Sequence, residues 1–456
     1  MNIAFDAQPM IESQKTGVGF CEAGIIKALL RMYNDNDYSF DFFCFRNEEE
    51  KTGRLMPFSE YAKTFGLNLS FNKCKWLPGS LYRILWSFFQ IPYRVLFRRE
   101  ADITHFFNYL VPPGLSGKKV CTVHDMAYKA YPKTVRLKTK AVLNTALKRS
   151  CKRSDLIVTV SEFSKKEIIK YLKVAEEKVV VVPNGVDSTL FGGEIDQRSI
   201  EKVKEKYGIE GDYFLYLGTL EPRKNIERLI EAYSLLISTL GEGAGAGVGA
   251  DVGEGAEMGT GVGTAVANRS EQASAPEHAS APEQVSVSEQ VLSPDLGYRT
   301  GAEHASAPKL VLAGRKGWLY NSIFDLVSRL NLANDVIFTG YVDDEDVAVL
   351  MRGALSFVFP SLYEGFGMPV LEAMACGTPV LTSNTSSLPE VAGDAAILVD
   401  PFSVREISEG LAKLYNDGRL RAELSKKGRE RAKLFSWEHS AEILMKAYEK
   451  LTRSDV

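Results

Sequence analysis

The chain has 456 residues and no run of eighteen or more uncharged apolar residues, so no membrane-spanning helix is expected. Its six cysteines are scattered, and none forms a CxxC pair. That spacing argues against a disulfide framework or a zinc site and fits a reducing compartment. The opening residues MNIAFDAQPM lack the basic-then-apolar pattern of a secretory leader, so a cytoplasmic location is expected. Hydrophobic residues at 45% and charged residues at 25% are ordinary for a globular protein of two or three domains.

The net charge of −3 hides an asymmetry. Residues 1–190 carry 29 Lys and Arg against 19 Asp and Glu; the remainder carries 26 against 39. A basic half can serve nucleic acid, an anionic membrane or a phosphorylated substrate, and charge alone does not choose among them.

Short apolar runs alternate with helical patterns along the chain. In the first half the strand candidates are Ile3–Phe5, Phe40–Phe45, Ile103–Phe107, Lys119–Val123, Leu156–Val160 and Val179–Val182. In the second they are Tyr213–Leu217, Leu310–Ala313, Val336–Thr339, Ser356–Phe359, Pro379–Leu381 and Ala396–Val399. This alternation predicts α/β architecture with mainly parallel sheets. The turn Pro183-Asn184-Gly185-Val186-Asp187 marks a domain exit. The expected division is residues 1–187, 188–435, and a last helical segment 436–456. Residues 241–308 break the pattern, with Gly, Ala, Ser, Pro and Glu dominating and ten acidic against two basic residues. They read as a disordered insertion, too poor in apolar surface to offset ordering entropy. The insertion enters a strand at its N-terminal end, away from where ligands sit in open α/β sheets.

Four constellations could carry chemistry. In the first, Phe359–Gly377, a strand ends, a glycine loop bearing Gly365, Phe366 and Gly367 follows, and a helix starts near Pro369. Free N–H groups at a helix start favour phosphate, and glycines admit a ligand close to the backbone. Glu364 and Glu372 flank that loop and suit hydroxyl donors such as sugar rings; by spacing alone they could equally be surface glutamates. In the second, Gly218–Asn225, Arg223 and Lys224 could hold a diphosphate and offset the charge it gains as a leaving group, although a solvated basic turn would look the same. In the third, His124 and Asp125 end a strand, with a satisfied core histidine as the alternative. In the fourth, Gly17 and Gly19 follow the first strand in a turn of a common kind. The acidic run Asp343-Asp344-Glu345-Asp346 reads as the first turn of a helix rather than a metal site.

Taken in order, these segments resemble the family-four retaining glycosyltransferases. The resemblance rests on EGFGMPVLEAMACGTPVL at 364–381, GTLEPRKN at 218–225, VHDMAYKAYP at 123–132, TVSEFSK at 159–165, VPNGVD at 182–187 and VIFTGYV at 336–342. It covers nearly all of the chain outside 241–308. It implies the GT-B fold, two Rossmann-like domains facing a cleft, with the last helix crossing back to the first domain. It implies that Glu364 binds hydroxyls of the donor sugar, Glu372 the ribose, and Arg223 and Lys224 the diphosphate. The backbone of Gly365, Phe366 and Gly367 would assist, and Thr339–Val342 would contact the base. His124 would sit beside the sugar, and Gly17 and Gly19 near the diphosphate and acceptor. The departing phosphate would take the acceptor's proton, which requires no protein base, no metal and no cofactor. The motifs look most like the mannosyltransferase branch that builds bacterial surface polysaccharide. GDP-mannose is the leading donor, with another hexosyl or a rhamnosyl donor open.

Residues 73–100 mix six Lys and Arg and one Glu with Trp76, Tyr82, Trp86, Phe88, Phe89, Tyr93 and Phe97. Such a segment suits an anionic membrane surface, which would place the protein at the inner membrane face with a glycan or lipid-linked acceptor; a core helix with a solvated basic edge is the alternative. Only this stretch resembles a nucleic-acid surface, and no nucleic-acid partner is expected. The competing readings are an epimerase or phosphorylase of the same fold, and a non-catalytic sugar-nucleotide-binding protein.

Overall fold

The computed structural model describes residues 1–12, 17–45, 48–79, 81–82, 91–97, 99–245, 307–318 and 320–453. They form two parallel sheets, each flanked by helices. The first has seven strands: β1 (Asn2–Asp6), β2 (Asp37–Phe43), β3 (Leu69–Cys74), β4 (Ile103–Phe106), β5 (Lys118–Thr122), β6 (Leu156–Thr159) and β7 (Val179–Val181), in the order β3-β2-β1-β4-β5-β6-β7. The second has six: β8 (Tyr213–Leu217), β9 (Lys309–Ala313), β10 (Val336–Gly340), β11 (Ser356–Phe359), β12 (Val380–Ser383) and β13 (Ala396–Val399), in the order β10-β9-β8-β11-β12-β13. Central strands such as β4, β6, β11 and β12 are buried along their whole length, as expected where helices cover both faces.

Each order reverses once, between β1 and β4 in the first sheet and between β8 and β11 in the second. Strands diverging from such a point leave a crevice at their carboxyl ends, where ligands bind.

Two segments join the halves. Val186 N–H donates to the Phe435 carbonyl at 3.0 Å, and Ser440 Oγ donates to the Pro183 carbonyl at 2.6 Å. A Cβ on Gly185 would run into the backbone of Ser436 and Trp437, so only glycine lets the strands cross this closely. The helix Trp437–Arg453 then packs on the helix Gly17–Met32, burying Ala441, Leu444, Met445 and Tyr448 in the core of the first half. Tyr448 is hydrogen-bonded to His105 Nδ1, and His105 Nε2 to Thr122 Oγ1. Burial holds His105 far below the ordinary imidazole range, at about 3.

Four sequence expectations are corrected. Gly17 and Gly19 lie inside the first turn of the Gly17–Met32 helix, not in a loop before it. The helix Ile226–Gly245 continues five residues into the stretch 241–308 read as disordered; residues 246–306 lie outside the described residues. Lys73 and Cys74 belong to strand β3, not to an amphipathic segment. In that segment Tyr82, Tyr93 and Phe97 are buried core residues while Trp76 is 59% exposed; Trp86, Phe88 and Phe89 lie outside the described residues. No helix among the described residues is long and apolar enough to cross a membrane.

Candidate active site

The carboxyl ends of β8 and β11, on either side of the second switch point, bring together Arg223, Lys224 and Glu364. Past β8 the chain makes a short 3-10 turn, Pro222–Lys224, closed by Asn225 in the left-handed region at φ 62°. Asn225 is held by donating from Nδ2 to the carbonyls of Pro360 and Pro401. The turn is tied to the β11 exit by Leu362 N–H donating to the Arg223 carbonyl at 2.9 Å. Arg223 Nη1 then donates to Glu364 Oε2 at 3.0 Å and to the Tyr363 carbonyl at 2.7 Å; Lys224 Nζ donates to Glu364 Oε1 at 2.6 Å. Glu221, buried beside them, accepts from Arg223 Nη2 at 2.8 Å.

This network fixes the charges. Burial works against an ionised Glu364, but Arg223 and Lys224 pull its carboxyl down to about 2. Burial also works against Arg223, yet Glu364, Glu221 and Asp125 raise it above the usual guanidinium range. Lys224 is lowered, because its burial outweighs the attraction of Glu364. Two cations stand here against two carboxylates, so the cluster is balanced until an anion arrives.

The loop after β11 leads into the helix Met368–Cys376. Gly367, at φ 112°, occupies the cap position without a side-chain cap, and Pro369 lies in the first turn. Among the described residues no partner takes the N–H groups of Phe366, Gly367 and Met368. Such a terminus favours an anion. Glu372 is one turn into this helix and accepts no hydrogen bond among the described residues. Burial, with Asp344 nearby, raises its carboxyl to about 7.

From the other half, His124 follows β5 and shares a hydrogen bond with the Phe107 carbonyl through Nε2 at 3.2 Å; burial keeps it below its ordinary range. Gly365 does not simply open the loop to a ligand. Its carbonyl accepts from Ser161 Oγ at 2.6 Å and from Ser164 Oγ at 3.0 Å, and a Cβ there would overlap the His124 carbonyl oxygen. The glycine is required where the two halves touch. Gly17 has open space around its Cα and Gly19 is buried in the first helical turn.

Several residues at this contact escape sequence reading. Tyr363 Oη accepts from Met126 N–H at 3.1 Å, and its ring meets those of Tyr131 and Phe163. Glu390 accepts from the N–H groups of Glu162 and Phe163, at 2.9 and 2.6 Å, and so caps a helix of the opposite half. Ser387 Oγ donates to the carbonyls of Glu364 and Phe366. None of these carries a local signal; Ser161 across the contact does, as the N-cap of the helix Glu162–Leu172. The acidic run begins the helix Asp344–Gly353 as expected, but Asp343 gives no side-chain cap. Instead Asp343 and Asp346 pair with Lys206, and Asp344 accepts from Tyr341.

Residues 302–431 match the family model for glycosyl transferases group 1, and residues 26–190 match that for glycosyltransferase family 4. O-antigen chain mannosyltransferase B of Escherichia coli is 30% identical over 76% of this chain and 74% of its own length. The serotype-specific mannosyltransferase WbdA of the same organism is 30% identical over 66% of this chain, but over only 29% of its own. Among solved structures, Anabaena Alr3699/HepE in complex with UDP and glucose superposes with a TM-score of 0.63 at 16% identity, over 99% of this chain and 100% of that one. WaaG, a glycosyltransferase involved in lipopolysaccharide biosynthesis, superposes with a TM-score of 0.57 at 16% identity, over 99% of both chains. These likenesses fix the fold as GT-B. The chain belongs to the family-four, group 1 glycosyltransferases.

Proposed function

We propose that this glycosyltransferase moves a mannosyl group, with retention, from a nucleotide sugar to a glycan or lipid-linked acceptor in surface polysaccharide synthesis, with GDP-mannose as donor. The observation that carries the reading is the Arg223–Lys224–Glu364 cluster at the switch point, facing His124 and the free N–H groups at the start of the Met368–Cys376 helix. Its resemblance to enzymes named mannosyltransferases supports the sugar.

The chemistry follows from the charges. Glu364 stays ionised at any working pH, so it can only accept hydrogen bonds, which suits sugar hydroxyls. A diphosphate would meet Arg223, Lys224 and the helix N-terminus together. As the glycosidic bond breaks, negative charge grows on the phosphate, and these donors are already in place to stabilise it. The acceptor hydroxyl attacks on the face the nucleotide leaves, and the departing phosphate takes its proton. Glu372 accepts from the ribose hydroxyls, and His124 contacts the sugar from the opposite half. No metal or other cofactor enters this scheme.

Replacing both Arg223 and Lys224 by Ala tests the assignment. A fall in turnover of less than about tenfold, roughly 1.4 kcal/mol of barrier, overturns the leaving-group role. Hydrolysis of a panel of nucleotide sugars without acceptor identifies the donor; failure of GDP-mannose against a better substrate overturns mannose. For the membrane, flotation with anionic liposomes at low salt is expected to carry the protein upward, through the basic half and the exposed Trp76. Absence of binding removes the peripheral location at the inner membrane face.

A further inference from the structure

The helix Glu162–Leu172 of the first half begins with three N–H groups that its own turns do not use. Lys165 N–H makes the first helical bond, donating to the Ser161 carbonyl at 3.0 Å. Ahead of it, Ser164 N–H donates at 3.0 Å to Oγ of Ser161, the helix's own cap. The other two, on Glu162 and Phe163, donate to Oε2 and Oε1 of Glu390 at 2.9 and 2.6 Å. One carboxylate from the second half thus completes a helix of the first, at the end where negative charge is favoured. Glu390 stands in the short helix Leu388–Ala392, and its backbone is held from behind. Arg431 donates to the Glu390 carbonyl at 2.6 Å and to the Val391 carbonyl at 3.1 Å.

The two pieces of chain that meet here also carry the site. One turn before Glu390, Ser387 Oγ lies 3.0 Å from the Glu364 carbonyl and 2.9 Å from that of Phe366. In the first turn of the capped helix, Ser164 Oγ lies 3.0 Å from the Gly365 carbonyl and 3.1 Å from that of His124. Contacts therefore run from Glu364 through Ser387 to Glu390, and from Glu390 through the capped turn to His124. The Glu390 side of this chain differs in kind from the buried pairs of Glu364. Glu390 is exposed, so water takes over the two N–H groups when the halves part. A charge-assisted contact of this sort biases the closed state without locking it.

We propose that Glu390 is a positioning residue for transfer: by capping the helix Glu162–Leu172 it favours the closed cleft and sets His124 against Glu364. This rests on the reading of Glu364 and His124 as donor contacts. The test removes the acceptor and one of its donors in turn, in the full chain. Glu390→Ala deletes the carboxylate. Glu162→Pro deletes one N–H and spares the helix. Proline suits the first helical position, and Ser161, at φ −154° and ψ 159°, already has the backbone that precedes a proline. Both variants are expected to melt with the wild type. With GDP-mannose, KM rises about fivefold in Glu390→Ala and about twofold in Glu162→Pro, while kcat changes less than about twofold. Small-angle scattering of the free protein shows a larger radius of gyration in Glu390→Ala. The double variant is no worse than Glu390→Ala alone, because both changes break one contact. Glu162→Gln, which removes the charge and keeps the N–H, behaves as the wild type. Wild-type KM and radius in Glu390→Ala overturn the proposal, as do effects that multiply in the double variant. So does a rise in Glu162→Gln equal to that in Glu162→Pro. Tm and kcat falling together in Glu390→Ala, with KM unchanged, would make the residue a structural cap and nothing more. Scattering keeps the two assignments apart. If the wild type neither binds nor turns over any nucleotide sugar, the donor-site reading fails, while the radius of Glu390→Ala still decides whether the contact holds the halves together.

Discussion

The two switch points of this molecule handle buried carboxylates in opposite ways. In the second sheet Glu364 is bonded by two cations and held near a pKa of 2. In the first, Glu22 has no hydrogen-bond partner among the described residues and its carboxyl is raised. A paired carboxylate is fixed in charge and geometry before the ligand arrives, which suits a site that must stabilise a leaving group. An unpaired one is pushed by burial toward its neutral form. One edge carries a fixed ionic network; the other buries a carboxyl group outside any such network.

The largest expected effect comes from breaking the paired side. Glu364→Ala leaves Arg223 with Glu221 as its ion-pair partner and strands Lys224; removing one partner of a buried pair costs about 3–5 kcal/mol. Chemical denaturation is expected to show that loss together with near-complete loss of transfer. A stability change under about 1 kcal/mol would mean that the pairs behave like surface ones.

Gly365→Ala comes next, since its Cβ must displace the His124 carbonyl. The halves are then held apart, transfer falls about tenfold, and small-angle scattering reports a larger radius. Unchanged scattering with full activity would show that the contact is not needed for closure.

A smaller effect is expected from pH. Glu372 titrates at about 7, and a carboxylate accepts two ribose hydroxyls better than a carboxylic acid does. Donor KM should therefore rise as pH falls from 8 to 6, by up to about tenfold per unit below the pKa. Glu364, at about 2, contributes nothing over that range. The Glu372→Gln variant should lose this slope, and a slope that persists in it belongs to another group.

The smallest effect is expected from deleting residues 246–306. The chain enters β9 at the sheet edge opposite the ligand, and loop closure depends only weakly on length. Transfer and donor KM should stay within about twofold; a collapse would show that the segment serves the cleft.

What could be read in advance follows the same division. Strands β8 to β13 are short and apolar, and the sequence pattern finds all of them. Strand β3 carries no apolar pattern, because it is an edge strand of mixed polarity in which only Cys74 is buried. Arg223, Lys224 and Glu364 stand in local motifs, strand end followed by helix start, so chain spacing alone points to a site. The direct ion pair between them was not legible, because β8 and β11 are neighbours in space but about 140 residues apart in sequence. Tyr363, Glu390 and the Ser161–Gly365 contact were hidden for the same reason. The two glycines of the first half read as a turn in the sequence, since nothing local distinguishes a loop from the first turn of a helix.

The chain crosses between the two halves at 183–187 and again at 432–437, and the crossings are hydrogen-bonded side by side through Val186 and Phe435. A single tether would permit swivelling in any direction. Two adjacent tethers, the second continuing into a helix locked in the opposite core by Tyr448, leave rotation about one axis as the easy motion. Opening and closing then retrace one path, so Glu364 and His124 return to the same register at each closure. It also follows that a protease cut within 246–306 would not release a free half, because the last helix still holds both ends together.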